Sequence, residues 1–185
     1  MTLLSFFKRP DNKELFPDKK DVLVDNSSKF DNYFPIATLD LKEKGIKDKI
    51  HIVYVCFDPA IDDSTLFPKS DNIDEFTFII MNDGKLKPTF SDKALTIGNK
   101  FLEYFAKAKK QYGKAKKELK TIDEIFDFPT EPLWIQDDQT PTNSKGQPYT
   151  FICELDVQYL VNDDCKMFVF YDGLDNKIKC IYQRT

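Results

Sequence analysis

The chain has 185 residues and a mass of 21.6 kDa, a length that is typical of one domain. Hydrophobic residues make up 41% of it and charged residues 31%, a balance that excludes a disordered or fibrous protein. The formal net charge of −4 disfavours nucleic acid as a partner, because phosphate binding depends on a high density of Lys and Arg.

The first ten residues, MTLLSFFKRP, contain an apolar run that is too short for a signal peptide and that follows no basic stretch. Nowhere in the sequence do 18 apolar residues follow one another, so we expect a cytoplasmic protein with no membrane partner. Cysteine spacing agrees with this compartment, because it offers neither a CxxC pair nor a zinc motif. We therefore expect four buried, reduced thiols. The cysteines are Cys56, Cys153, Cys165 and Cys180.

Two segments, IHIVYVCFDP (50–59) and KMFVFYDG (166–173), are apolar on both alternating faces, which predicts buried central strands. Each follows a second strand-like segment, PIATLDL (35–41) and FICELDV (151–157). The two pairs match at eight positions, which we interpret as an internal duplication. A chance similarity between two aromatic-rich hairpins is the alternative. The equivalent residues are Ile36 and Ile152, Leu39 and Leu155, Asp40 and Asp156, Leu41 and Val157, Tyr54 and Phe168, Val55 and Val169, Phe57 and Tyr171, and Asp58 and Asp172.

Hairpin signals follow both pairs. The group Asn82-Asp83-Gly84 predicts a turn within residues 76–90, because these residue types tolerate positive φ. A second hairpin is predicted over residues 171–183, where Lys177 and Lys179 alternate with apolar residues. This alternation predicts a half-exposed strand near a sheet edge, where lysine discourages pairing with other chains.

One long amphipathic helix is predicted over residues 92–120, capped by Ser91 or Asp92 and interrupted at Gly113. Its apolar positions recur at helical spacing. They are Ala94, Leu95, Phe101, Leu102, Phe105 and Ala108. Eight lysines and two glutamates between Lys100 and Lys120 give this segment a local charge of +6. We favour a solvated helix face over an anion or nucleic-acid site, because arginine is nearly absent and the chain as a whole is acidic.

Catalytic motifs are scarce. His51 lies within a strand pattern without a nucleophile motif nearby, so we interpret it as structural. The acidic pairs lack the alternating spacing of a calcium loop and are interpreted as loop caps rather than cation ligands. They are Asp62-Asp63, Asp137-Asp138 and Asp163-Asp164. No phosphate-loop, dinucleotide or hydrolase motif occurs, and we expect no catalytic residues, metal or cofactor.

The segment PLWIQDDQTP (132–141), followed by FICELDV and the final hairpin, resembles the YwqG-like family of bacterial proteins, a domain family of unknown function. The residues that carry the resemblance are Trp134, Ile135, Gln136, Leu155, Asp156, Phe168 and Phe170. The resemblance implies a compact, β-rich cytoplasmic protein. Some relatives in that family are thought to act as immunity proteins beside secreted toxins.

Together these patterns predict an α+β fold, mainly of antiparallel sheets, in a single domain 1–185. Two duplicated β halves, 22–90 and 121–185, flank the helix 92–120. The leading functional hypothesis is a protein that neutralises a basic toxin domain by occluding it. The alternative is a small-molecule-binding or catalytic protein with a cleft between the halves. Candidate contact residues are Trp134, Gln136, Asp137 and Asp138, although Trp134 alone can also be explained as a core residue.

Because four dispersed cysteines and one histidine offer no closed ligand set, we expect the folded state to need neither a metal nor a disulfide. EDTA or dithiothreitol should leave the melting temperature unchanged in thermal denaturation followed by circular dichroism. A clear fall in melting temperature with either reagent contradicts this prediction.

Overall fold

The computed structural model describes residues 14–46, 49–60, 63–69, 71–72 and 74–184. The predicted α+β class is confirmed, since the chain forms two antiparallel sheets and one long helix. The N-terminal segment 1–13 and Asp62, about which predictions were made, lie outside the described residues.

The first sheet has three strands in the order β1-β2-β3, and the second has five in the order β5-β4-β8-β7-β6. The strands are β1 (Glu14–Leu15), β2 (Tyr33–Asp40), β3 (Lys49–Val55), β4 (Glu75–Ile80), β5 (Leu86–Pro88), β6 (Thr150–Asp156), β7 (Lys166–Asp172) and β8 (Lys177–Gln183). The helices are α1 (Lys19–Val22), α2 (Asp25–Ser28), α3 (Leu102–Glu118) and α4 (Gln158–Val161). Short 3-10 turns lie at Lys42–Lys44, Ser64–Leu66, Asp92–Leu95, Asn99–Phe101 and Ile122–Glu124.

The two sheets do not divide the chain at the long helix. Strands β4 and β5 precede α3 in the chain, yet β4 pairs with β8, which follows α3. The five-stranded sheet therefore draws on both predicted halves, 22–90 and 121–185.

Strand β8 lies in the centre of its sheet, between β4 and β7, so the expectation of an edge strand was wrong. Lys179 is buried there rather than exposed. Its Nζ lies 2.7 Å from a carboxylate oxygen of Glu75 and 3.1 Å from one of Asp71. The buried charge is tolerated because two carboxylates compensate it.

The pairs β2–β3 and β6–β7 are both antiparallel hairpins with a register shift near the start of the first strand. The shift falls at Ile36 in one pair and at Ile152 in the other, two residues that the sequence alignment had equated. The internal duplication itself stays a prediction.

The second strands of these pairs are offset from the sequence alignment by three residues. In the first hairpin, Tyr54 lies opposite Phe34. In the second, Tyr171 lies opposite Thr150, the residue that corresponds to Phe34, so Tyr171 is the structural counterpart of Tyr54. The alignment had equated Tyr54 with Phe168. The connection of the second hairpin is therefore one residue longer than that of the first, not two residues shorter.

The long helix begins later than predicted. Ser91 caps only the short 3-10 turn Asp92–Leu95, by accepting a hydrogen bond from Lys93 N at 3.3 Å. The chain then extends so that Gly98 N donates to Asp58 Oδ2 at 3.0 Å. A Cβ at position 98 would lie only 2.8 Å from that oxygen, so any other residue here would force the Asp58 carboxylate to move.

Helix α3 then runs without a break through Gly113, where the sequence had suggested an interruption. Its inner face contacts the three-stranded sheet through aromatic rings. Phe34 of β2 lies 5.0 Å from Tyr112 and 6.4 Å from Phe105, measured between ring centroids. These edge contacts hold the helix against β2.

Tyr182 of β8 connects the two sheets. Its ring stacks on Tyr54 of β3 at 5.2 Å between centroids. Its hydroxyl accepts a hydrogen bond of 2.8 Å from Val55 N. The main core therefore continues between the sheets, and all four cysteines are free and buried within it, as predicted.

His51 lies on β3 opposite Thr38, with the Thr38 hydroxyl oxygen 2.9 Å from His51 Nδ1. Burial, and secondarily the charge of Lys49, lowers the pKa of His51. The unfolded chain, in which His has a pKa of about 6.5, therefore binds more protons as the pH falls. We expect His51 to lower the free energy of unfolding as the pH falls from about 7 to 5.

This pH dependence is measurable by urea denaturation. A His51→Gln variant should lose less stability between pH 7 and pH 5 than the wild type does. Equal losses in both proteins would show that His51 does not contribute.

Candidate functional site

The segment that drew attention in the sequence, residues 132–138, crosses one face of the five-stranded sheet; we call it the Trp134 loop. The Trp134 ring lies 4.5 Å from Phe168 and 5.7 Å from Phe170, and is nearly parallel to the latter. Phe168 and Phe170 alternate along β7 with the core residues Met167 and Val169. Trp134 therefore covers the sheet face that points away from the main core.

Gln183, at the end of β8, holds the backbone of the Trp134 loop. Only 1% of this residue is exposed. Its Oε1 accepts hydrogen bonds from Ile135 N at 2.9 Å and from Gln136 N at 3.0 Å. Its Nε2 donates to Asp137 O at 2.9 Å. One buried amide thus binds three consecutive residues of the loop.

Two further contacts fix the loop. Gln136 Nε2 donates to Arg184 O at 2.7 Å, just beyond β8. At the other end, Leu133 N donates to Glu154 Oε2 at 2.8 Å. Glu154 is buried on β6 and forms an ion pair with Lys166. The loop is therefore attached to β6, β7 and β8.

The predicted contact residues divide into one inward side chain and three outward ones. Trp134 is half-buried, whereas Gln136, Asp137 and Asp138 are exposed. Asp138 Oδ1 accepts a hydrogen bond from Thr140 N at 2.8 Å, which is the predicted turn-cap role. This backbone hydrogen bond lowers the pKa of Asp138, so its carboxylate stays ionised.

The other acidic pairs behave differently from each other. Asp63 caps the turn Ser64–Leu66 by accepting from Thr65 N at 3.0 Å, as predicted. Asp163 is instead buried, and the expectation of a loop cap was wrong for its side chain. Its carboxylate accepts hydrogen bonds from the Tyr54 hydroxyl and from Arg184 Nη2, the latter at 3.0 Å. Asp163 is thus part of a buried polar network that the sequence did not indicate.

Arg184 extends this network to the surface. Its Nη1 donates to Asp74 Oδ1 at 2.8 Å, and its guanidinium lies 5.6 Å from the centre of the Phe57 ring. Within the described ranges, no group of three or more His, Cys, Asp and Glu side chains is arranged to hold a metal ion. The network is best explained as an anchor for Arg184, the residue that follows β8.

The thiols offer no nucleophile. Burial raises the pKa of Cys56 and of Cys180 to about 12. Burial raises the pKa of Cys153 and Cys165 as well. All four thiols therefore stay protonated at neutral pH, whereas a reactive cysteine needs its thiolate.

Some lysines of α3 make contacts within the fold. Lys109 Nζ lies 2.7 Å from Asp31 Oδ2, and Lys116 Nζ lies 5.6 Å from the centre of the Tyr112 ring. Lys107 forms an ion pair with Glu103 one turn away, at 2.8 Å. These contacts explain part of the lysine content without a bound anion.

Described residues line at least three surface cavities. One of about 240 Å³ lies between α3 and β2, beside Asp31 and Tyr112. Two others, of about 170 and 200 Å³, meet at Asp156. Each is smaller than the roughly 300 to 1,000 Å³ of typical small-molecule pockets. Trp134 and Gln136 line none of the three.

No helix among the described residues combines the length and the apolar character needed to cross a bilayer. Comparison of the chain with protein-family models, with curated proteins and with solved structures gave no match. The resemblance to the YwqG-like family therefore stays a prediction.

The Gln183 contacts predict that one substitution will release the Trp134 loop. In Gln183→Leu, two loop N–H groups and one carbonyl lose their partner, which costs about 1 to 3 kcal/mol of stability. We expect the emission of Trp134, the only tryptophan, to shift to the red and acrylamide quenching to increase. Gln158→Leu, at an exposed position on α4, serves as the control. Unchanged emission in the Gln183 variant would show that the ring contacts alone hold the loop.

Proposed function

We propose that this chain is a cytoplasmic bacterial binding protein of the immunity type, which neutralises a toxin domain by covering its surface. The observation that carries the proposal is the Trp134 loop, whose backbone is fixed by Gln183 while Gln136, Asp137 and Asp138 are exposed to solvent. A surface that is already ordered loses little conformational entropy on binding. Such a loop suits recognition of a protein partner.

The distribution of charge supports a basic partner. The segment Lys100–Lys120 carries a local charge of +6, so the remaining residues carry −10 to give the total of −4. The exposed Asp137 and Asp138 lie on the acidic remainder. Opposite charge on two protein surfaces accelerates their encounter and disfavours wrong partners.

The alternative, a small-molecule-binding or catalytic protein with a cleft, has less support. The Trp134 ring packs on Phe168 and Phe170 instead of lining one of the three cavities described above. The thiols are buried and protonated, and the hydroxyl group that His51 contacts belongs to the buried residue Thr38. This alternative stays a prediction.

The proposal predicts that an adjacent gene encodes a toxin domain, and the experiment uses the purified product of that gene; the absence of such a gene contradicts the proposal. Association with the purified domain is followed by stopped-flow fluorescence at two salt concentrations. We expect the association rate to fall as salt rises, and the double variant Asp137→Lys, Asp138→Lys to associate about tenfold more slowly. Co-expression of the wild type should also protect cells from the toxin domain.

The control variant keeps every acidic residue and changes two lysines instead. Lys110→Gln with Lys117→Gln removes two exposed charges from α3 and should leave the rate within about twofold. Lys109 and Lys116 are left unchanged, because both make contacts within the fold. A rate independent of salt, or loss of binding only in the lysine variant, contradicts the proposal.

A further inference from the structure

A groove lies beside the Trp134 loop, at the end of the sheet where β6 ends and β7 begins. Asp156, the last residue of β6, pairs across the ladder with Lys166, the first residue of β7. Asp156 lines both the cavity of about 170 Å³ and the cavity of about 200 Å³, so the two cavities are neighbours. We call these two neighbouring cavities together the Asp156 groove. It includes none of the four candidate contact residues Trp134, Gln136, Asp137 and Asp138.

Apolar side chains border the groove without being covered. Tyr159 is 68% exposed and lines the first cavity. Ile135 is 41% exposed and lines the second. Two of the six large, exposed hydrophobic residues within the described ranges therefore line this groove.

The charge of the groove is strongly negative. Asp123, Glu124, Asp127 and Asp156 line the first cavity, and Asp164 and Lys166 add to the second. Five carboxylates against one ammonium group give a formal charge of −4. The ammonium group of Lys166 is moreover paired with the buried Glu154.

The carboxylates are held by backbone contacts. Asp127 and Glu154 exchange two backbone hydrogen bonds of 2.9 and 3.0 Å, which fix Asp127 at the outer edge of β6. Asp156 Oδ1 accepts from Gln158 N at 2.9 Å, at the start of α4. Glu124 closes a capping box with Thr121, and the backbone hydrogen bonds to its carboxylate lower its pKa. The negative surface is therefore ordered before any partner arrives.

We propose that the Asp156 groove binds a basic protein segment, with a lysine or arginine side chain entering the 170 Å³ cavity beside the Tyr159 ring. A cation placed there gains from the carboxylates and from the ring face together. An apolar side chain of the same segment contacts Ile135 in the neighbouring cavity. Charge complementarity selects this occupant, because nucleic acids and anionic lipid surfaces are repelled by the same carboxylates.

The inference rests on the proposed function, in that it extends the contact surface of the Trp134 loop across the neighbouring strand ends. It also identifies what the partner must present. The partner needs a cationic side chain next to an apolar one, whereas the loop itself requires only general basic character.

The test uses three synthetic peptides, Ac-RLRLR-amide, Ac-RSRSR-amide and Ac-ELELE-amide, in titrations followed by NMR chemical shifts. We expect the first to bind best, the second more weakly and the third not at all. Asp156→Asn and Tyr159→Ala should each weaken the first peptide about two- to fivefold. Equal binding of the first and second peptides, or binding of the acidic peptide, would overturn the proposal.

Matched controls lie at the opposite end of the same sheet. Asp83→Asn changes the same charge in the turn between β4 and β5, and Leu174→Ala removes an exposed apolar side chain between β7 and β8. Both should leave peptide affinity within twofold. Controls that weaken binding as much as the groove variants would show nonspecific attraction and overturn the groove.

The same variants separate this inference from the proposed function. If association with the toxin domain depends on Asp137 and Asp138 but not on Asp156 or Tyr159, the Asp156 groove is not a binding site, whereas the proposal of neutralisation by occlusion is retained. Peptide binding that depends on Asp156 and Tyr159, in a protein that does not protect cells from the toxin domain, would support the groove and contradict the toxin partner.

Discussion

The pairing of β8 between β4 and β7 is the constraint on which the rest of the structure depends. One side of β8 carries Cys180 and Tyr182 into the main core, where Tyr182 contacts β3. The other side carries Ile181 to the aromatic cluster under Trp134 and Gln183 to the loop backbone. A single strand thus joins the two sheets and also supports the candidate site.

The sequence predicted those elements whose pattern is local. The apolar runs around Tyr54 and Phe168 indicated buried strands, and the observed β3 and β7 agree with them. The position of β8 was not predictable in this way, because Lys179 is typical of an exposed strand until its partners are known. Those partners, Asp71 and Glu75, lie more than 100 positions away in the chain.

The start of α3 and the attachment of the Trp134 loop likewise depend on contacts between residues that are distant in the sequence. The periodicity located α3, but its start depends on the contact between Gly98 and Asp58, which are 40 positions apart. The sequence singled out the Trp134 loop by its composition, whereas Gln183 gave no signal of its own. Only the alternation of β8, which puts Gln183 on the same side as Ile181, could have directed attention to it.

The register pairs Glu75 of β4 with Ile181 of β8, 106 positions later in the chain. At a synthesis rate of about 5 to 20 residues per second, β4 waits roughly 5 to 20 seconds on the ribosome for its central partner. During that time its hydrogen-bonding edge and its EFTFII side chains are open to other chains. The nascent chain is therefore more open to aggregation between the emergence of β4 and that of β8 than after β8 has paired.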